Sequence, residues 1–397
     1  MSHKLVVCPA QFIKLVPEFA NTTLSAGHME TKSPRLAHKS ARSLGLNPDR
    51  IALATDILQE EIDKRSISAA SLTIARNGAL AAAHGFGLVH PDRPESVTPD
   101  SVFLLASISK PISVCTLMLL VERGEVGLND PVQMHLPDFV GEHKEAVRVR
   151  HLLSHSSGMP DMLPENVALR KAHTPMSGFV EAALKTPLLF PPGSAFRYQS
   201  KGTLLAREIV ERKTGVALRD FLKTEVFDVV GMNQTSLGLG GRAIEETVWC
   251  GAASDDSRSE TDYGWNSPYW RDAGHPWGGV HSTGPDLALL MQSFLDQGQC
   301  EGREVMSPAT ALAMVQDQNA GLKAPWGLGW GLRDSRVWAF FGDVCSPSTF
   351  GHCGATGTVA WADPSTGLSC VILANDMVEE GRMLRRVSNV VASAVVD

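Results

Sequence analysis

The chain has 397 residues, of which 43% are hydrophobic and 20% charged, and a formal net charge of −7 at pH 7. This composition is typical of a globular protein, and the length permits one large domain or two interlocked ones. The negative charge and the lack of a long apolar run argue against nucleic acid or a membrane as partner.

The N-terminal part of the chain combines an irregular segment with two clear structural signals. Residues 1–46 show no periodicity, and we predict an N-terminal extension without a secretion signal. Asn47-Pro48 predicts a helix start, with an N-cap followed by proline at the first helical position. The runs 69–76 and 79–86, joined by Asn77-Gly78, predict a β-hairpin.

Helical patterns dominate from about residue 107 to 279, and the stretch 251–279, rich in Gly, Ser, Asp and Trp, predicts a long loop. Towards the end of the chain, strands are predicted over 337–341, 357–362 and 368–375, followed by a helix over 380–395. Strands at both ends with helices between them predict an α+β fold, in which helices flank an antiparallel sheet and a mostly helical domain is inserted.

The first chemical signal is Ser107-x-x-Lys110, at the start of an apolar run. Residues three apart on a helix share a face, so the serine hydroxyl and the lysine amine can meet. A lysine whose pKa is lowered by burial can take the proton of the serine, which is then a nucleophile. At the N-terminus of a buried helix, the backbone N–H of Ser107 also favours an oxyanion. The alternative is that Ser107 only caps the helix.

Two later segments supply the other groups that such a site needs. Tyr198 and Ser200 follow a Pro-Pro-Gly turn, and Tyr198 beside a lysine is expected to have a lowered pKa and to relay the proton. In residues 350–357, three glycines at a strand start indicate close backbone approach to a ligand. We expect the N–H of Ala355 to complete the oxyanion hole and His352 to bind a polar end of the substrate.

Together these segments resemble serine β-lactamase-like proteins, and the class C branch in particular, with family VIII carboxylesterases the nearest in motif pattern. Ser107-x-x-Lys110, Tyr198-x-Ser200 and His352-Cys353-Gly354 occur in the order of the Ser-x-x-Lys, Tyr-x-Asn and Lys-Thr-Gly motifs of that superfamily. Residues 151–160 are similar to its His-Leu-Leu-Thr-His-Thr-Ser-Gly segment. The resemblance implies a β-lactamase/transpeptidase-like fold, which we divide into an extension (1–46), an α/β domain (47–106 and 280–397) and a helical domain (107–279).

The chain departs from those motifs at three positions. Ser200 replaces the usual Asn, His352 the usual Lys, and Cys353 the usual Thr, and each would hold a peptide-like substrate less firmly. We include these residues, with Gly354 and Trp277, among the predicted substrate contacts. Weaker contacts favour esters, because an alkoxide leaves more readily than an amine.

A long loop rich in tryptophan favours the same substrate class. Aromatic side chains on it predict the wall of a pocket for a hydrophobic or aryl ester, although they could instead pin the loop to the body. They are Trp249, Tyr263, Trp265, Tyr269, Trp270 and Trp277.

The sequence therefore predicts a cytoplasmic serine hydrolase that forms an acyl-enzyme on a small-molecule ester, with Lys110 and Tyr198 as a coupled acid–base pair. The seven scattered cysteines favour a reducing compartment. No metal or organic cofactor is expected, and the oligomeric state is left open. Two alternatives stay open: a D-amino-acid peptidase or class C-like β-lactamase, and a binding protein or sensor that captures an acyl group without turnover.

Overall fold

The computed structural model describes residues 36–251, 261–335, 337 and 340–396. Of the predicted extension, residues 1–35 lie outside the described residues, whereas Leu46 is buried and forms a β-bridge with Val395. The predicted division into an α/β domain and a helical domain stays a prediction.

The strands are β1 (Ala37–His38), β2 (Ala69–Arg76), β3 (Ala79–Gly87), β4 (Phe103–Leu104), β5 (Ser236–Leu237), β6 (Val280–Ser282), β7 (Gln299–Cys300), β8 (Arg303–Glu304), β9 (Gly331–Leu332), β10 (Phe350–Gly354), β11 (Thr358–Asp363) and β12 (Leu368–Ala374). The helices are α1 (Pro48–Asp63), α2 (Ser109–Glu122), α3 (Val132–His135), α4 (Val149–Leu153), α5 (Asn166–Lys171), α6 (Met176–Lys185), α7 (Lys201–Thr214), α8 (Leu218–Leu222), α9 (Asp228–Val230), α10 (Pro268–Asp272), α11 (Gly284–Leu295), α12 (Pro308–Met314) and α13 (Arg382–Ala392).

The main sheet has seven strands in the order β1-β3-β2-β12-β11-β10-β9. Neighbouring strands are antiparallel except β1 and β3, which run parallel. Helices α1 and α13 pack on one face, and α11 covers the other. The β2–β12 pairing joins the N-terminal hairpin to the C-terminal strands, so both ends of the described chain build one sheet. The predicted α+β fold is confirmed.

Most of the local signals named above fold as predicted. The Asn47 side chain caps α1 by accepting a hydrogen bond from Asp49 N at 2.9 Å, and the predicted hairpin forms as β2 and β3. The strand predicted over 337–341 is wrong at Val337, Phe340 and Phe341, the residues of that range that the structure describes. The phenyl ring of Phe341 is buried against the layer of α1 and α13 without joining a strand ladder.

Helix α2 carries the nucleophile motif into the centre of the molecule. Its residues from Ser109 to Leu120 are all buried, so the apolar run after the motif packs on every side. Gly124, with a φ of +73°, follows the end of the helix, a position where glycine is common. The Ser-x-x-Lys motif is thereby fixed between the sheet and the surrounding helices.

Candidate active site

Ser107 lies in a tight turn that neighbouring segments hold in place. One turn of 3-10 helix, from Ala106 to Ile108, leads directly into α2. Ala106 has a φ of +47°, a conformation that costs a non-glycine residue about 1–3 kcal/mol and often occurs at functional sites. Leu105 N donates to Val280 O at 2.9 Å, so β6 supports the turn.

Lys110 is placed as a base for Ser107. Its Nζ lies 2.9 Å from Ser107 Oγ and donates to Trp277 O at 3.2 Å. The side chain is buried, and this burial lowers the pKa of the amine to about 7, against an opposing effect of the Asp161 charge. A substantial fraction of Lys110 is therefore neutral near pH 7 and able to accept a proton.

Tyr198 completes the group of predicted catalytic side chains. Lys110 Nζ lies 4.6 Å from the centroid of the phenol ring. Burial raises the pKa of Tyr198 well above its ordinary value, although a hydrogen bond with Ser107 acts in the opposite direction. The expected lowering of this pKa is wrong, because burial, together with the charge of Asp161, outweighs the hydrogen bond with Ser107. Tyr198 is thus a neutral phenol that can donate a hydrogen bond.

The side chains of β10 alternate between the two faces of the sheet. The His352 ring packs on Tyr198 and Trp326, with centroid distances of 5.9 and 5.6 Å. Its Nδ1 donates to Cys353 O at 2.7 Å, and burial lowers the pKa of the imidazole to about 3. The Cys353 thiol packs in the apolar cluster beneath α13, on the opposite face. Neither side chain is among those that line the cavity, and their contact with substrate stays a prediction.

The end of β10 packs in close contact with the turn that contains Ser107. A Cβ on Gly354 would lie 2.2 Å from both Leu105 O and Thr358 Oγ1, so only glycine fits there. Thr358 Oγ1 in turn donates to Leu105 O at 2.8 Å. Ala355, the next residue, lines the same cavity as Ser107. The structure therefore brings together the two residues whose N–H groups are predicted to form the oxyanion hole.

Ser200 lines this cavity, and its hydroxyl group is hydrogen-bonded to a neighbouring side chain. Ser200 Oγ donates to Asp161 Oδ1 at 2.6 Å. The next residue, Lys201, holds its Nζ 3.6 Å from the centroid of a Trp277 ring and makes no hydrogen bond to a described residue. Burial lowers the pKa of Lys201 to about 7, while the Asp161 charge opposes that change. The motif that carries Tyr198 therefore brings a second buried amine close to Lys110.

The cavity beside Ser107 has a volume of about 140 Å³ and a largely apolar lining. Trp265, Trp270 and Trp277, three tryptophans of the predicted aromatic wall, line it. Trp249 instead packs on His90, with a centroid distance of 4.7 Å. An apolar cavity of about 150 Å³ can hold a benzene molecule, so the space accepts a group of about that size.

Five polar residues of the cavity were not predicted: Asp161, Asn166, Arg170, His275 and Thr356. Asp161 directly follows the segment 151–160, but a single acidic residue there carries no distinctive spacing. Asn166 and Arg170 lie on the short helix α5, whose placement depends on tertiary packing. His275 lies in the tryptophan-rich loop, where the density of aromatic residues was the available signal.

Over the part of the chain that the structure describes, no group of three or more metal-binding side chains occurs. The described helices also include none that is both long and apolar enough to cross a bilayer.

Comparisons with known proteins agree with this geometry. The family model described as Beta-lactamase matches residues 54–393. A relative from Escherichia coli (strain K12), whose name gives D-alanyl-D-alanine carboxypeptidase as a provisional assignment, is 26% identical over 376 residues, which cover 87% of this chain and 86% of the relative.

Two solved structures share the fold. A penicillin-binding protein homologue from Caulobacter crescentus superposes with a TM-score of 0.73 at 23% identity, over 88% of this chain and 99% of that one. A family VIII carboxylesterase superposes with a TM-score of 0.70 at 21% identity, over 87% and 98%.

The chain belongs to the β-lactamase family. It is a serine hydrolase with the β-lactamase/transpeptidase-like fold, and the resemblance recognised from its motifs is confirmed.

Proposed function

We propose that the protein hydrolyses small carboxylic esters through an acyl-enzyme on Ser107. The observation that carries this proposal is the 2.9 Å contact between Ser107 Oγ and the buried Lys110 Nζ beside an apolar cavity. The substrate is a small-molecule ester, and the chemistry of these side chains needs no cofactor. A cytoplasmic location stays a prediction.

In the acylation step, neutral Lys110 takes the proton of Ser107 as Oγ attacks the ester carbonyl carbon. The developing oxyanion accepts hydrogen bonds from the N–H groups of Ser107 and Ala355. When the tetrahedral intermediate collapses, the C–O bond to the alcohol breaks and the alkoxide receives a proton from the Lys110–Tyr198 pair. Water then attacks the acyl carbon, the same pair takes its proton, and Ser107 is released with the carboxylic acid.

The environment of the cavity supports an ester rather than a peptide ending in a carboxylate. His352 is neutral and lies behind Tyr198, so it offers no charge to such a group. Arg170, a cation in the lining, donates through Nε and Nη2 to Tyr263 O at 3.0 and 2.6 Å. An ester does not need a positively charged group to bind a carboxylate, because its leaving group departs more easily than an amine.

The second candidate is a D-amino-acid peptidase or a class C-like β-lactamase. The 26% identical relative named for carboxypeptidase activity favours it. Ser107 and Lys110 would carry the same acylation step there, so the difference between the two candidates lies in the substrate.

Parallel assays with p-nitrophenyl acetate, a chromogenic cephalosporin and D-alanine p-nitroanilide test the proposal. We expect the ester to have the largest kcat/KM, with slow cephalosporin turnover at most. Ser107→Ala should lower ester turnover by at least about 1,000-fold, while the midpoint of thermal unfolding should not change. A larger kcat/KM on the anilide or the cephalosporin would instead identify the second candidate. A single adduct without turnover would identify an acyl-capturing protein.

A further inference from the structure

His275 is a buried residue of the cavity lining whose ring nitrogens have no hydrogen-bond partner among the residues that the structure describes. It is 3% exposed, and neither Nδ1 nor Nε2 makes a hydrogen bond to a described residue. Buried polar atoms are usually paired with protein or water, and leaving one unpaired costs about 1–3 kcal/mol. His275 is one of the residues that line the cavity beside the nucleophile, so a ligand in that cavity can supply the missing partner.

The imidazole is held rigidly. Its ring stacks on Trp270 at a centroid distance of 4.3 Å and an interplanar angle of 26°. Trp277 packs against it at 5.0 Å. A Cβ on Gly278 would lie 3.0 Å from His275 Cε1 and 3.7 Å from the carbonyl carbon of Ala106. Gly278 therefore lies between the imidazole ring and the nucleophile turn, and the stacking contacts fix the orientation of the ring.

Asn166 also lines this cavity and carries a polar atom that has no partner in the described part of the chain. Asn166 is 7% exposed, and its Oδ1 makes no hydrogen bond to a described residue. A side-chain amide oxygen accepts hydrogen bonds, whereas a neutral imidazole provides one donor and one acceptor. Burial and the nearby charges of Arg170 and Lys201 lower the pKa of His275 well below its ordinary value, so the ring is neutral.

We propose that His275 and Asn166 form a polar subsite in the apolar cavity and that this subsite takes a hydroxyl group of the substrate. A hydroxyl donates one hydrogen bond and accepts others, which matches the mixed donor and acceptor capacity of the two side chains. An ionic group fits less well, because the cavity lining holds both the Asp161 carboxylate and the Arg170 guanidinium. This inference rests on the proposed ester hydrolysis and names its substrate class: esters with a hydroxyl on a small, ring-sized group.

Matched esters test which side of the substrate enters the subsite. On the acyl side we compare p-nitrophenyl phenylacetate with its 3- and 4-hydroxyphenyl counterparts. On the alcohol side we compare phenethyl acetate with its 3- and 4-hydroxyphenyl counterparts. In each set a methylene insulates the ester from the ring. We expect one hydroxylated ester to exceed its parent in kcat/KM, and His275→Phe to reduce that preference by about two- to tenfold. Turnover of the unsubstituted ester should change less.

Three further variants make this comparison specific. Asn166→Leu should also reduce the preference, and His275→Gln, which retains hydrogen-bonding capacity, should restore some of it. The matched control is His84→Phe, the same substitution at an exposed position on β3, which should leave the preference unchanged. If every hydroxylated ester is turned over no faster than its parent, or if the preference survives in both His275→Phe and Asn166→Leu, the subsite is refuted while ester hydrolysis stands.

Binding without turnover separates this inference from the proposed function. Calorimetry with 2-(4-hydroxyphenyl)ethanol, its 3-hydroxyphenyl isomer and 2-phenylethanol requires no catalysis. Tighter binding of either phenol by the parent protein, lost in His275→Phe, supports the subsite even if no ester is hydrolysed. Equal binding of all three alcohols by the parent would show that water alone satisfies His275 and Asn166, and it would overturn the inference.

Discussion

At the scale of single residues, burial determines which group acts as the base. Lys110 and Tyr198 lie together, yet burial lowers the pKa of the amine to about 7 and raises that of the phenol well above its ordinary value. In each case the low-dielectric surroundings disfavour the charged form. In the proposed mechanism the proton of Ser107 therefore passes to Lys110, while Tyr198 stays protonated and donates.

The pH dependence of ester hydrolysis should report the pKa of Lys110. Only neutral Lys110 can take the proton, so kcat/KM is expected to rise with pH through about 7 and to level off above it. Asp161→Asn removes a charge that stabilises the ammonium, so the rising limb should move to lower pH. Stopped-flow or plate assays between pH 5 and 9 measure this. The control Asp92→Asn, at an exposed carboxylate, should leave the limb in place, and a limb that moves upward in Asp161→Asn would contradict the account.

The contact between Ser107 and Lys110 could be predicted because short-range geometry carries much of the information. The i to i+3 spacing alone brings Lys110 to Ser107. His352 and Cys353 show the limit of such reasoning, since the side chains of adjacent strand residues face opposite sides of a sheet and the motif order alone does not show which side faces the cavity. His275 and Asp161 depend on loops whose path is set by tertiary packing, so no local pattern predicts them.

At the scale of elements, the junction between β10 and the nucleophile turn sets the position of Ala355 relative to Ser107, the two residues of the proposed oxyanion hole. Gly354→Ala would force a Cβ to within 2.2 Å of Leu105 O, so the two segments must separate. We expect kcat/KM to fall by about ten- to a hundredfold and the free energy of unfolding to fall by about 1–3 kcal/mol.

Kinetics and chemical denaturation on the same preparations measure both effects. Gly321→Ala is the matched control, because a Cβ there meets nothing within 4 Å. Wild-type kinetics in Gly354→Ala would show that the contact at the end of β10 does not position the site.

Helix α1 provides an element-scale prediction that should affect stability alone. Asn47→Ala removes the side chain that accepts from Asp49 N, and it should lower the free energy of unfolding by about 1 kcal/mol. Asn47→Asp keeps a capping oxygen and should stay close to the parent. Urea denaturation measures the change, and kcat/KM should be the same in all three proteins. A loss of activity in Asn47→Ala at a temperature where it is fully folded would mean that α1 influences the site.

Elements with a strong local signal were the predictable ones. The hairpin of β2 and β3 follows from Asn77-Gly78 between two apolar runs, and α1 follows from its cap. The strand predicted over 337–341 had only apolar composition to support it, and such residues can equally pack singly against a helix layer, as Phe341 does.

At the scale of the whole molecule, the fold brings segments far apart in sequence around one cavity beside Ser107. The β2–β12 pairing unites the ends of the described chain, and the end of β10 then lies against the turn that starts α2. The α+β class could be predicted because strands were recognisable near both ends. The cavity and its polar lining could not, since they arise where loops and short helices meet.

The most direct test of the account is covalent labelling with an alkyl p-nitrophenyl phosphonate, followed by intact-mass measurement and peptide mapping. We predict one adduct per chain, located on Ser107, with complete loss of esterase activity and no adduct in Ser107→Ala. An adduct on another residue, or labelling and ester turnover that persist in Ser107→Ala, would contradict the assignment of the nucleophile.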